Sequence, residues 1–137
     1  MIPKPAKGTE RKRLAAKRKR VRDVEVSAKN LVRFRDPHCR WPHRTVEERV
    51  ACVRAHNEVA HIDGKGMGGN KDGSRNVVEN LITVCAPTHQ GPGSMHAGMK
   101  RIWPLNAVLG SRGPCSYQEK VDGAWIEIGR DDINGRW

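Results

Sequence analysis

Five glycines fall within residues 64–73, and a short segment that favours β-strand lies on each side of them. Glu58–Asp63 precedes this stretch, and Leu81–Cys85, which is apolar and rich in β-branched residues, follows it. A run with so much glycine does not form a regular helix or strand. The sequence therefore predicts two short strands joined by a long irregular connection.

Helix and hairpin signals lie on either side of this central pair. Residues 10–34 contain neither proline nor glycine and are rich in lysine, arginine and alanine, which favours a helix. Residues 45–56 fit either a short helix or a loop. Asp122-Gly123 separates segments 116–121 and 124–128, a pattern typical of a β-hairpin. We therefore expect an α+β fold.

Positive charge is concentrated at the N-terminal end of the chain. The net charge is +11, and residues 1–40 hold 14 basic and 4 acidic side chains. Such a block attracts polyanions, since each cation that meets a phosphate releases a counterion. We expect a nucleic acid as the partner, with Arg18, Lys19 and Arg20 on its phosphates, and a membrane surface or an acidic protein as the other possible partners. A solvated basic tail is the alternative interpretation.

Length and hydropathy exclude other classes of protein. No apolar run approaches the roughly 18 residues of a transmembrane helix, and no apolar segment follows the basic N-terminal residues as in a signal peptide. We expect no membrane association and a cytoplasmic location. A chain of 137 residues with 36% apolar residues forms one small domain, whose core would be strengthened by a metal or a partner.

Two histidines and an asparagine lie on or beside the two strand segments. His61 is on the first, Asn80 directly precedes the second, and His89 follows it by four residues. Pairing of the strands would bring the three together. Phosphodiester hydrolysis needs a base for water and a cation near the phosphate, and imidazole serves as base or as metal ligand. Structural roles remain the alternative for each residue, and Asn80 also suits a turn.

The order His61…Asn80…His89 resembles the His-Asn-His signature of the HNH endonuclease superfamily. The similarity extends over DPHCRWP, EVAHIDGKGMGGNKDGSR, ENLITVCAPTHQGP, MHAGMKRIWPL, RGPCSY and WIEIGR, which look like small HNH proteins of phages and prophages. It implies a ββα-metal core over 35–105, preceded by a basic helical arm over 1–34. Residues 106–137 would form a C-terminal hairpin extension of the same domain. A terminase of the packaging machinery is an implied partner, in the host cytoplasm.

The resemblance also implies roles for the three residues. His61 would be the general base that activates water, and Asn80 would brace the loop and orient the His61 ring. His89 would bind a divalent ion, which is Mg²⁺, Mn²⁺, Ni²⁺ or Zn²⁺. The product would carry 5′-phosphate and 3′-hydroxyl ends.

Departures from the family pattern affect the ligands of that ion. Many members place an acidic residue or a second histidine directly before the base, where this chain has Ala60. His96 or Asp63 would supply the missing ligand, and His96 is slightly preferred. Arg75 would reach a phosphate or face water, and Arg101 would steady the leaving group or be solvated.

The cysteines suggest a second metal site. Relatives often bind a structural zinc through Cys-x2-Cys pairs, but Thr88 stands at the position expected for the partner of Cys85. Zinc accepts mixed cysteine and histidine ligands, so a structural Zn²⁺ site is compatible with the set Cys39, His43, Cys52 and Cys85. Its spacing is irregular, and reduced, buried thiols are the alternative.

Two functions from different classes follow. One is a metal-dependent DNA endonuclease, and the other is a non-catalytic nucleic-acid-binding protein on a decayed HNH scaffold, which Ala60 and Thr88 favour. An RNA-binding protein of ribosomal type fits the charge but leaves the His-Asn-His order unexplained.

Overall fold

The structure is a computed structural model that describes residues 7–62 and 76–132. It has the expected α+β fold, with three α-helices and two small antiparallel sheets in these ranges. The helices are α1 (Lys7–Arg35), α2 (Val46–Arg54) and the single turn α3 (Ala86–His89). The strands are β1 (Asn57–His61), β2 (Leu81–Cys85), β3 (Lys100–Pro104), β4 (Cys115–Val121) and β5 (Ala124–Arg130). Within the described ranges, no helix combines the length and the apolar character needed to cross a bilayer.

The N-terminal half of helix α1 is exposed, and its C-terminal half contributes two residues to the core. Every residue from Gly8 to Arg20 is exposed, as expected for a segment whose long cationic side chains remain hydrated. Further along, Ala28 and Val32 are buried and pack against Val59 and Leu81. The predicted helix over 10–34 is thus confirmed, and its C-terminal part belongs to the core rather than to a separate arm.

The central strands form a two-stranded antiparallel sheet. β1 pairs with β2 from Asn57↔Cys85 to His61↔Leu81. All five residues of β2 are buried, which agrees with its continuous apolar sequence. β2 has the predicted bounds. β1 begins one residue earlier than predicted, at Asn57, and ends two residues earlier than predicted, at His61. The glycine-rich stretch over 64–73 lies outside the described residues.

A second sheet has the order β3-β4-β5. The predicted hairpin is its β4–β5 pair, and Asp122 and Gly123 in its turn have φ of 50° and 81°. Two consecutive positive φ values are what a type I′ turn requires, which explains the Asp-Gly dipeptide. β3 was not predicted, and its pairing with β4 means that the sheet extends across the expected boundary at residue 105.

The core lies between the two sheets. It contains Ile82 of β2, Ile102 of β3 and Tyr117 of β4, all almost fully buried. Trp41 from the segment after α1 is 3% exposed and meets Tyr117 edge to face, with ring centroids 5.7 Å apart. The first sheet is thereby fixed against the second.

A buried ion pair joins the end of α1 to the C-terminal side of the second sheet. The Arg40 guanidinium donates to Asp131 Oδ2 at 2.6 Å, and the Tyr117 hydroxyl donates to the same carboxylate. Cys115 N donates to it as well, at 3.0 Å. Arg40 and Asp131 are almost completely buried, and Arg40 also meets Asp36 at 3.4 Å, so Asp131 is the nearer of two carboxylates that compensate its charge.

We expect Asp131→Ala to lower the free energy of unfolding by about 3–5 kcal/mol, because it leaves the Arg40 charge buried without its main partner. Urea denaturation followed by circular dichroism measures this loss. Asp23→Ala, which removes an exposed carboxylate on α1, is the matched control and should change stability by less than about 0.5 kcal/mol. A loss below about 1 kcal/mol in Asp131→Ala would contradict the role of the pair.

Candidate functional site

The predicted cysteine and histidine ligands converge on one point. Cys39 and His43 lie between α1 and α2, Cys52 lies on α2, and Cys85 ends β2. Their ligand atoms all lie within 4.8 Å of one another. This Cys3His group could hold a metal ion such as zinc, which confirms the predicted set as a possible metal site.

Distances inside the group suit tetrahedral coordination. His43 Nε2 is 3.6 Å from Cys39 Sγ and 3.6 Å from Cys85 Sγ. A tetrahedral zinc with ligands at about 2.0–2.3 Å separates its ligand atoms by roughly 3.3–3.8 Å. The backbone N–H of Cys85 also donates to Cys39 Sγ at 3.1 Å, an interaction that favours a thiolate at that sulfur.

The thiols influence one another's protonation. A hydrogen bond from Cys39 lowers the pKa of Cys85, and hydrogen bonds from Thr88 lower it further. Burial raises this pKa but is outweighed, and the result is a pKa of about 4. The same hydrogen bond and burial raise the pKa of Cys39. Thr88 is buried, with Oγ1 3.1 Å from Cys85 Sγ. Thr88 therefore supports this sulfur from outside the Cys3His group.

A cleft of about 720 Å³ brings together other predicted residues. His61, His89, His96 and Arg101 all line it, although 35 residues separate the first histidine from the last. Two further cations that were not predicted, Lys29 and Lys100, line it as well. The cleft thus combines three imidazoles with positive charge, a combination suited to a phosphate-bearing ligand.

His61 is oriented by an asparagine that the sequence analysis missed. Its Nε2 donates to Asn76 Oδ1 at 2.8 Å, and Asn76 is only 2% exposed. With the carboxamide oxygen facing the ring, the neutral imidazole carries its proton on Nε2 and its basic lone pair on Nδ1. The available signal was the position of Asn76, directly after the glycine-rich region and four residues before Asn80.

Asn80 lies directly before β2, at the end of the strand pair. Its backbone carbonyl accepts from Ile62 N at 2.8 Å and extends the hydrogen bonding one residue past β1. The residue also lines a second cavity of about 630 Å³ beside the cleft. This contact uses the backbone of Asn80, so the loop-bracing role of its side chain stays a prediction, whereas Asn76 supplies the hydrogen bond seen at His61 Nε2.

His89 is oriented by a carboxylate that was also missed. Its Nδ1 donates to Glu58 Oε1 at 2.9 Å, so the neutral ring has its lone pair on Nε2. Burial alone would raise the pKa of Glu58, but hydrogen bonds from His56, His89 and Gln90 outweigh it and lower this pKa. The ring of His96 lies edge to face with that of His89, with centroids 4.4 Å apart.

Ala60 has a structural explanation. Its side chain is fully buried against Trp41 and Ile82, so position 60 faces the core. Asp63, the other candidate ligand, lies outside the described residues, as does Arg75. Over 7–62 and 76–132, the Cys3His group is the one place where three or more possible ligands meet. The part of the chain described here thus offers His89 and His96, and no third protein ligand, for a second ion.

The predicted DNA contacts differ in position. Arg18, Lys19 and Arg20 are exposed on α1, and Arg101 is half-buried at the cleft.

Comparisons of the chain with protein-family models, with curated proteins and with solved structures found no match. The chemistry of the site is therefore inferred from its own residues.

Proposed function

We propose that this protein is a metal-dependent endonuclease of the HNH type that hydrolyses DNA phosphodiester bonds. The observation that carries the proposal is the shared cleft of His61 and His89, each with one ring nitrogen held by a hydrogen bond. A base and a ligand for a cation are the two groups that this reaction requires. His61 ends β1, and His89 ends α3, the turn directly after β2, so the two histidines come in the order of a ββα-metal core.

The described side chains fit separate tasks in this reaction. His61 is the general base for the attacking water, and its hydrogen bond to Asn76 fixes the orientation of the ring. His89 and His96 would hold the divalent ion, which supplies positive charge for the phosphate and the leaving oxygen when bound. Lys29 and Lys100 add positive charge to the cleft wall.

The Cys3His group would hold a structural zinc in the same protein. Cys85 ends β2, and α3 carries the chain from it to His89 in a single turn. An ion bound at Cys85 would therefore fix the strand end from which His89 projects. This gives the two metal sites separate tasks, one in folding and one in chemistry.

A non-catalytic DNA-binding protein on the same scaffold is the second candidate. The observation in its favour is that the part of the chain described here places two imidazoles, without a third ligand, at the proposed catalytic ion. A terminase partner stays a prediction under either function.

Nicking of supercoiled plasmid tests the proposal. The purified protein is incubated with plasmid and Mg²⁺, Mn²⁺, Ni²⁺ or Zn²⁺ in separate reactions. We expect open-circular product with at least one ion, and we expect DNA ligase to reseal it, since ligase needs 5′-phosphate and 3′-hydroxyl ends. A protein that binds plasmid but does not cut it with any of these ions would support the second candidate instead.

The exposed half of α1 gives an independent prediction for binding. Replacing Arg18, Lys19 and Arg20 together with alanine should reduce the slope of log affinity against log salt by about 2.7, because each phosphate contact contributes about 0.9. Fluorescence anisotropy of a labelled duplex between 50 and 300 mM salt measures this slope. Cleavage on saturating DNA should change little.

A triple variant elsewhere controls for the change in net charge. Arg49, Arg54 and Arg112 are also exposed and lie outside α1. Their replacement with alanine lowers the net charge by the same amount, three units. We expect a much smaller change in slope for this variant. Equal slopes for the two triple variants would show that α1 does not lie on DNA.

A further inference from the structure

One face of the three-stranded sheet carries two tryptophans and an arginine. Arg101 and Trp103 are two residues apart on β3, where they pair with Gln118 and Ser116 of β4. Trp125 of β5 is on the same face by register, because side chains alternate along each strand. The opposite face holds the core residues of this sheet.

These three side chains form an ordered stack. The Arg101 guanidinium lies 4.3 Å from the ring centroid of Trp125 and 5.6 Å from that of Trp103. Its Nε donates to Gln118 Oε1 at 2.6 Å, which holds the guanidinium close to both rings. We call Arg101, Trp103 and Trp125 the stacking row.

The exposure of Trp103, the outermost member of the stacking row, is not explained by packing. Trp103 is 59% exposed, whereas Trp41, which belongs to the core, is 3% exposed. A large aromatic ring held open to solvent beside an ordered cation is typical of a binding surface. A second copy of this chain is a poor occupant, because each copy carries a net charge of +11.

The stacking row is continuous with the cleft. Arg101 and Trp125 line the same cleft as His61 and His89. Arg101 and Trp103 also line the adjoining cavity of about 630 Å³. A DNA strand with a phosphate at His61 would therefore have neighbouring nucleotides beside these rings.

We propose that the stacking row binds the unpaired bases of single-stranded DNA, so that the substrate of the cleft carries unpaired nucleotides beside the scissile phosphate. Every base has a π face that a tryptophan can cover, but in a duplex these faces are occupied by neighbouring base pairs. The positive charge of Arg101 suits the phosphates of the same strand. The statement about substrate rests on the proposed nuclease function, whereas the binding of single strands does not.

Binding to labelled single-stranded dT20 and to a 20-base-pair duplex tests the stacking row, with no divalent ion added. Trp103→Ala should weaken dT20 binding by about fivefold to a hundredfold, the range observed for loss of one aromatic–base stack. Its affinity for the duplex should stay within about twofold of the wild type, since phosphate contacts dominate there. Trp103→Phe keeps a ring and should retain most of the affinity for dT20.

Phe34→Ala is the matched control, because Phe34 is 90% exposed on α1, away from the sheet. It should leave both affinities unchanged. Equal losses for dT20 and duplex in Trp103→Ala, or no loss for either, would overturn the proposal, as would a change in oligomeric state without a change in dT20 affinity.

Cleavage separates this inference from the nuclease proposal. If the wild type cuts DNA, a forked duplex should be cut faster than a fully paired one, and Trp103→Ala should lose this preference. Cleavage that is indifferent to the fork and to Trp103 would sink the inference and leave the nuclease intact. Selective dT20 binding without any cleavage would retain the stacking row as a binding surface and reject the nuclease.

Discussion

Cys85→Ser is expected to lose its bound zinc and most of its folded structure. Cys85 is fully buried at the end of β2, and its sulfur is 3.6 Å from His43 Nε2 in the Cys3His group. Structural zinc contributes about 10–16 kcal/mol of binding free energy to a folded domain, which exceeds the usual stability of a small protein. We expect about one zinc per wild-type chain by mass spectrometry of metals, little in the variant, and a weak or absent cooperative melting transition.

Cys115→Ser is the matched control, since Cys115 is another fully buried thiol but lies outside the Cys3His group. This variant should keep its zinc and melt cooperatively, at a modestly lower temperature. Both proteins must be purified without chelator. The structural zinc would be refuted by a wild type that carries no stoichiometric metal, or by a Cys85→Ser variant that keeps it.

The metal group was predictable because few residue types bind zinc. Residue type alone was sufficient to propose the set Cys39, His43, Cys52 and Cys85, although their spacing follows no simple motif. Their convergence depends on where β2 ends relative to α2, and this came from the structure. Chemistry thus restricted the candidates, and tertiary packing brought them together.

Strand prediction shows the same division between local and distant information. β2 was predicted because its buried, β-branched sequence is a local signal. β3 was missed because Lys100, Arg101 and Pro104 are poor strand residues, and it forms through contacts such as Ile102↔Tyr117 that are distant in sequence. The pairing of β3 is set by its register with β4, and the sequence of β3 alone does not indicate that register.

The residues that orient the histidines were missed for a related reason. Glu58 and His89 are 31 positions apart, and Asn76 is 15 positions from His61. Each pair meets only after β1 and β2 have aligned. The histidines stand out because imidazole has few alternatives as a base, whereas an asparagine or a glutamate is common and its partner depends on the fold.

His61→Ala should lower the rate of plasmid cleavage on saturating DNA by about a hundredfold or more, the usual contribution of a general base. Asn76→Ala should also lower this rate, because the imidazole loses the acceptor that fixes its proton on Nε2. Asn76→Asp keeps an acceptor oxygen at that position and should retain more of the rate than Asn76→Ala. Single-turnover cleavage with excess protein measures the three rates.

A structural effect of these substitutions would give a different result. Asn76 is buried, so both substitutions at this position are expected to lower stability. A loss of cleavage rate caused by lower stability alone would be similar in Asn76→Ala and Asn76→Asp, because it does not depend on an acceptor oxygen at that position. Duplex affinity should be unchanged in all three variants, because the phosphate contacts proposed for α1 do not involve these residues. Full cleavage by His61→Ala would remove this histidine from the mechanism. Equal rates for the two Asn76 variants, both well below wild type, would assign Asn76 to folding rather than to positioning.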